Sequence, residues 1–175
     1  MAIPRGKHTY GPAEKILGRP SIVAGSTIGK FCSIADNLQI IAKGSHMIDW
    51  VTTFPFRVKW GMNVPLHALP PTSPIIIGND VWIASNVKIK QGVTIGDGAV
   101  LATECFVTKN VPPYAVVGGN PAKIIKYRFT EEQIKDLLEI KWWDWPDNEI
   151  KKFVPLMLSS DIDHFIKIAK EKKGL

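Results

Sequence analysis

Residues 77–111 read IGNDVW IASNVK IKQGVT IGDGAV LATECF VTKNV, and written six at a time they fall into register. Ile77, Ile83, Ile89, Ile95, Leu101 and Val107 head the successive rows, while Val81, Val87, Val93, Ala99, Cys105 and Val111 fill the fifth place. A fifth-place residue and the next row's head are two apart, so on an extended strand both side chains point to one face. A helix repeats at 3.6 residues and a free strand at 2, so neither accounts for a sustained six. Short strands separated by corners do, one strand to each hexad, which is the pattern of a parallel β-helix. With three hexads to a triangular coil, residues 18 apart stack on one face.

The step of six also runs earlier, through Ile22, Ile28, Ile34 and Ile40, with Ser26, Cys32 and Leu38 in the fifth place. Between these two runs the repeat is missing, so residues 43–74 read as an insertion that leaves the coil and returns to it. The insertion holds Trp50, Phe54, Phe56 and Trp60 and ends in a proline-rich tail, Leu69 to Pro74. Loops of this length inside a compact fold are usually functional or disordered, and the aromatic content argues against disorder. Residues 1–20 carry no long apolar run, so neither a signal peptide nor a membrane span is expected. Beyond Val117, Gly118-Gly119-Asn120-Pro121 marks a turn, and Thr130-Glu131-Glu132-Gln133 has the form of a helix capping box. That helix is expected to end at Trp142-Trp143-Asp144-Trp145-Pro146, a cluster read as a clamp on the coil or on a neighbouring subunit. A last helix is expected after Ser160, with Ile162, Phe165, Ile166 and Ala169 on one side. The expected organisation is a β-helix domain over 1–129, interrupted by the 43–74 loop, and a helical segment over 130–175 packed on it.

At 175 residues the chain is long enough for one domain with a substantial core. Cys32 and Cys105 both fall on core positions of the repeat. They read as buried reduced thiols, which favours a cytoplasmic setting and implies neither a disulfide framework nor a metal. The net charge of +6 comes from dispersed basic residues without a nucleic-acid motif, so no nucleic-acid partner is expected and a small polyanionic ligand explains it more economically. Ser85 and Thr103, 18 residues apart, stack about 4.8 Å from each other on the coil surface and leave a shallow groove. Thr108, Lys109, Lys123, Lys126 and Arg128 follow. An extended, amide-bearing arm with phosphates at one end suits that arrangement, and the pantetheine arm of coenzyme A is such a molecule. Trp82 reads as a corner residue that either borders this ligand or simply packs.

The hexads Ile77 to Ile83 and Gln91 to Val100, with Pro112-Pro113-Tyr114-Ala115-Val116-Val117-Gly118-Gly119-Asn120-Pro121-Ala122-Lys123, resemble the hexapeptide acyltransferases. Two further stretches, Gly44 to Phe56 and Ile140 to Pro146, resemble the xenobiotic acetyltransferase branch, with its chloramphenicol, streptogramin and sugar acetyltransferases. The resemblance covers roughly residues 22–150. It implies a left-handed β-helix, a homotrimer, and an active site between subunits with acetyl-CoA along a coil face. It also implies that His46 is the general base, and that Ser85, Thr103, Thr108, Lys109 and Lys123 line the coenzyme, with Lys126 a less consistent match. The chain departs from the antibiotic-modifying members in its short N-terminal segment and in carrying Ala84 and Ala102 where glycine is usual.

The chemistry agrees with that implication. An acceptor hydroxyl or amine must lose a proton as it attacks a thioester, and imidazole, with a pKa near ~6.5, is matched to the task at neutral pH. Direct transfer needs no protein nucleophile and no metal. Asp49 is a candidate to orient the imidazole or bind acceptor, a local turn role being as good an account, and Trp50, Phe54 and His67 of the same loop are candidates to bind acceptor. His8 and His164 read as surface residues. The expected acceptor is sugar-like, a nucleotide sugar or polysaccharide precursor, with an antibiotic as the alternative. Two readings from other classes are a zinc enzyme of the γ-carbonic anhydrase type, for which His8, His46, His67 and His164 are too scattered, and a non-catalytic scaffold, in which the base would be lost.

Overall fold

A computed structural model describes residues 2–18, 24–42, 46–64 and 73–174. The hexads fold as the repeat dictates, with short parallel strands in three sheets. One sheet is built from β2 (Thr27–Ile28), β5 (Ile76–Ile77) and β8 (Thr94–Ile95). The second holds β3 (Ser33–Ile34), β6 (Trp82–Ile83), β9 (Val100–Leu101) and β11 (Ala115–Gly118), closed at its edge by β12 (Lys123–Tyr127), which runs antiparallel to β11. The third is β1 (Lys15–Gly18), β4 (Gln39–Ala42), β7 (Lys88–Lys90) and β10 (Phe106–Val107). Register follows the 18-residue step where the repeat is unbroken, Ile77 pairing with Ile95 and Ile83 with Leu101. Ile40 pairs with Ile89, so the insertion leaves the register intact on both sides. The row heads and fifth-place residues that are described are buried alike around one continuous core, Cys32 and Cys105 included, while Ile22 lies outside the described residues. Ser26 is a polar member of that column, and its hydroxyl accepts the Ile75 N–H at 2.9 Å.

The coil begins earlier than the repeat does. Arg5 bridges Ile28, Tyr10 bridges Ser33, and β1 pairs with β4, so residues 5–18 make a first turn on all three faces. Among the described residues of 2–18, only Ile3 is a buried aliphatic side chain. The turn is held instead by Glu14, whose buried carboxylate accepts the Ile3 N–H and pairs with Arg5 at 3.1 Å. An end coil has a neighbour on one side only, so a polar lock replaces the hexad pattern.

The corners on either side of the second sheet are tight because a residue in each adopts a positive φ. Between the second and third sheets these are Asn37, Asn86 and the non-amide Glu104, with φ of 64, 61 and 64°. Their side chains form a ladder, Asn37 donating to Asn86 at 2.7 Å and Asn86 to Glu104 at 2.6 Å. Between the first and second sheets the equivalent residues are Phe31, Asp80, Gly98 and Tyr114. Gly98 is required there twice over: its φ is +67°, and a Cβ would stand 2.4 Å from the Tyr114 ring.

Within the insertion, α1 (Phe56–Trp60) is a short helix with no buried residue. After β12 the chain forms α2 (Glu131–Ile140), α3 (Asp147–Met157) and α4 (Ile162–Lys173). The capping box of α2 is present, Thr130 accepting from the Gln133 N–H and Gln133 from the Thr130 N–H. The helix ends at Lys141, before the tryptophan cluster. These helices share a second core that includes Tyr114. The cluster clamps the coil: Trp142 packs on Phe31 at 4.9 Å between ring centres, and Phe31 stacks on His8 at 4.7 Å. Lys7 and His8 both reach Asp147, and Lys30 reaches Asp144, tying the first two coils to the terminal segment.

Candidate active site

His46 stands at the foot of the insertion, which leaves the coil after β4 at the corner between the third and first sheets. Its Nδ1 lies 2.5 Å from the Thr53 carbonyl oxygen. A carbonyl only accepts, so Nδ1 carries the proton and Nε2 holds a free lone pair in the neutral ring. The group that meets Nδ1 is therefore a backbone carbonyl seven residues on. Asp49 sits in an exposed turn. Phe54 packs edge-on to Phe56 at 4.8 Å and lies 6.2 Å from Trp60, forming an aromatic cluster with the short helix. Trp50 is half-exposed beside it in sequence. Gly44, Ser45 and His67 lie outside the described residues.

The expected coenzyme residues separate into groups. Ser85 and Thr103 stack at the corner between the second and third sheets, Ser85 accepting the Glu104 N–H through its carbonyl at 3.1 Å. Beyond them the turn 119–122 folds over β10, where the Phe106 N–H donates to Gly119 and the Ala122 N–H to Phe106. Lys123 follows, paired with Gly118 at the end of β11. Thr108 and Lys109 stand at the other edge of the third sheet, past β10, on the corner from which the His46 loop departs. Lys126 pairs with Val116, in the column of Trp82 and Val100. It lines a depression of about 410 Å³ on the outer face of the second sheet. Arg128 is engaged elsewhere, donating to the Gly98 carbonyl at 2.7 Å and to Asp80 at 3.3 Å. Trp82 is a strand residue, 55% exposed on that face, and not a corner residue, because the left-handed corner position falls on Asp80.

The thiols are unsuited to nucleophilic work. Burial pushes Cys105 up to about 11 and raises Cys32 as well, so both remain protonated and unreactive at neutral pH. Among the described residues no three His, Cys, Asp or Glu side chains come together as a metal site. His8 is spent on Asp147, and His164 lies on α4. Among the described residues, no helix is long and apolar enough to cross a membrane.

Comparison with known proteins agrees with this geometry. Residues 74–109 match the bacterial transferase hexapeptide family of six repeats. A chloramphenicol acetyltransferase of Agrobacterium fabrum is 46% identical over 142 residues, which are 77% of this chain and 67% of that protein. A virginiamycin A acetyltransferase of Staphylococcus aureus is 44% identical over 141 residues, 78% of this chain and 64% of its own length. A hexapeptide-repeat acetyltransferase of Vibrio cholerae, solved with acetyl coenzyme A, superposes with a TM-score of 0.56 at 34% identity, covering 74% of this chain and 62% of that one. This chain thus spans about two thirds of the length of these relatives. On the three-sheet hexapeptide coil and this level of identity, the chain belongs to the hexapeptide-repeat acetyltransferases, in close relation to those named for chloramphenicol and virginiamycin.

Proposed function

We propose that the protein transfers the acetyl group of acetyl-CoA to a hydroxyl of an antibiotic-type acceptor, with His46 as the general base, in a homotrimer. The observation that carries this is the His46–Thr53 contact, which holds the imidazole with Nε2 free to take a proton. In the reaction Nε2 accepts the acceptor's hydroxyl proton as the oxygen attacks the thioester carbonyl carbon. The tetrahedral intermediate collapses with cleavage of the C–S bond, and the imidazolium returns the proton to the leaving coenzyme thiolate. A backbone N–H of the coil is the simplest donor to the oxyanion. Ser85 and Thr103, with Lys123 beyond them, are proposed to hold the pantetheine arm and phosphates. Thr108 and Lys109, at the edge shared with His46, belong to the same coenzyme, and Lys126 makes an outer contact. Trp50, Phe54 and Asp49 of the loop face the acceptor in this reading.

His46 and the Ser85–Thr103 column occupy opposite edges of the third sheet. Ile48, Val51, Val58 and Trp60 of the loop stand largely in solvent in the single chain. Both facts support a site completed by a second subunit, the base of one copy meeting the coenzyme column of the next. The acceptor assignment moves from sugar to antibiotic because the relatives of highest identity reported above carry antibiotic names. The test is coenzyme thiol release from acetyl-CoA with a panel of chloramphenicol, virginiamycin, a macrolide, galactosides and nucleotide sugars. Turnover confined to the antibiotics supports the assignment. Turnover confined to the sugars returns it to the alternative, and no turnover on any member removes the acceptor proposal.

A further inference from the structure

Thr53 and Phe54 are joined by a trans peptide bond, so the carbonyl that meets His46 and the Phe54 N–H are opposite ends of one rigid plane. Both ends are engaged. The Thr53 carbonyl oxygen stands 2.5 Å from His46 Nδ1, and the Phe54 N–H donates to the Thr52 hydroxyl oxygen at 3.1 Å. A chain of donors therefore runs from the imidazole N–H through the amide to a side-chain oxygen, and hydrogen bonds linked in this way strengthen one another. Burial does not hold the plane, because Thr52, Thr53 and Phe54 are all exposed in the single chain. On its far side Phe54 is held by its neighbours. Pro55 disfavours a helical Phe54, the Phe54 carbonyl accepts the Phe56 N–H at 3.0 Å, and the two rings pack edge-on at 4.8 Å. Among the described residues the Thr52 hydroxyl is what meets the N–H end of the plane.

We infer that Thr52 is a positioning residue for the general base: its hydroxyl holds the Thr53–Phe54 amide with the carbonyl turned to His46, and so keeps the imidazole proton on Nδ1. The inference rests on the reading of His46 as the base. A neutral ring protonated on Nε2 would point the Nδ1 lone pair at the carbonyl oxygen, two acceptors face to face. That tautomer is disfavoured only while the amide is held in place. When the amide turns away, the proton can settle on Nε2, and the ring then has nothing with which to take the acceptor's proton. Thr52 thus acts through Thr53 and not on the reacting atoms. A threonine that merely met solvent would leave the ring unchanged, and one that bound the acceptor would change the acceptor KM.

The test compares Thr52→Val, which removes the hydroxyl at nearly equal shape, with Thr52→Ser, which keeps it. In protein labelled with nitrogen-15 histidine, the Nδ1 and Nε2 chemical shifts report the tautomer at about pH 8, where an ordinary imidazole is neutral. His46→Ala identifies the His46 signals by their loss, and the measurement needs no acceptor. The wild type should show the Nδ1–H form, Thr52→Val a shift of population towards Nε2–H, and Thr52→Ser a return to the wild-type pattern. In thiol release with acetyl-CoA and the acceptor that turns over best, kcat of Thr52→Val should fall roughly 3–10-fold, the worth of one neutral hydrogen bond, with KM for acetyl-CoA unchanged. Unaltered His46 shifts in Thr52→Val, or a change confined to the acceptor KM, would overturn the inference while leaving the base in place. A Thr52→Ser variant as impaired as Thr52→Val would do the same. Activity retained in His46→Ala would instead remove the base itself, and the inference with it. Circular dichroism of each variant confirms that it is folded.

Discussion

His46 and Thr53 are seven residues apart, and the contact between them decides what the imidazole can do. With Nδ1–H committed to the carbonyl, the ring cannot act through that nitrogen, and Nε2 is presented as an acceptor. His46→Ala should lower kcat by ~10²–10⁴ with acetyl-CoA affinity nearly unchanged, since the side chain acts on a proton and does not hold the coenzyme. Steady-state kinetics with calorimetry separates the two, and a variant retaining more than half the activity removes His46 from the mechanism. In the proposed reading Lys123 supplies charge for the coenzyme phosphates beyond Ser85 and Thr103. Lys123→Glu should raise KM for acetyl-CoA more than KM for the acceptor, and the effect should shrink as salt screens it. An increase confined to the acceptor KM would move the coenzyme to another face.

At the scale of the element, the unit of stability is the stacked rung. Ile89 pairs with Ile40 below and Val107 above, fully buried in the single aliphatic column. Ile89→Ala should cost about 2–5 kcal/mol in urea unfolding, because close-packed neighbours on both sides leave the cavity unable to collapse. Loss well below that range would mean that the coil relaxes around the gap. Cys105 adds a pH dependence. Its thiol is raised from 9.0 to about 11 by burial, so the protonated form belongs to the folded state. The stability it contributes is complete below about pH 9 and is lost as pH rises to about 11. Cys32 acts in the same direction. In Cys105→Ala the fall of unfolding free energy across that window should therefore be shallower, though not absent, and an unchanged slope would remove this thiol from the alkaline transition.

For the whole molecule, the exposed loop and the separation of His46 from Ser85 point one way. In the proposed reading a single copy presents half a site at each of two corners, and a cyclic three-fold assembly would join them three times. Sedimentation at micromolar concentration should show a trimer; a stable monomer would contradict both the assembly and the shared site. The terminal helices bear on this less, because they are already anchored to their own coil through Trp142, Phe31 and Tyr114.

The hexad repeat by itself determined the three-sheet coil, its register and its core, because a six-residue period admits one strand per side and forces residues 18 apart to stack. The capping box and the tryptophan cluster likewise marked α2 and its end through local backbone chemistry. Only the tertiary structure revealed the first coil, since a terminal turn buries little and Glu14 with Arg5 leaves no periodic trace. It alone also showed α3, which follows Pro146, and the antiparallel return of β12. The site divides in the same way. His46, Ser85 and Thr103 are candidates because a motif and a spacing single them out in the sequence. The Thr53 carbonyl beside His46 has no such mark, because a backbone acceptor leaves no signature in side-chain sequence, and the engagement of Arg128 with Asp80 and Gly98 shows only when successive coils stack.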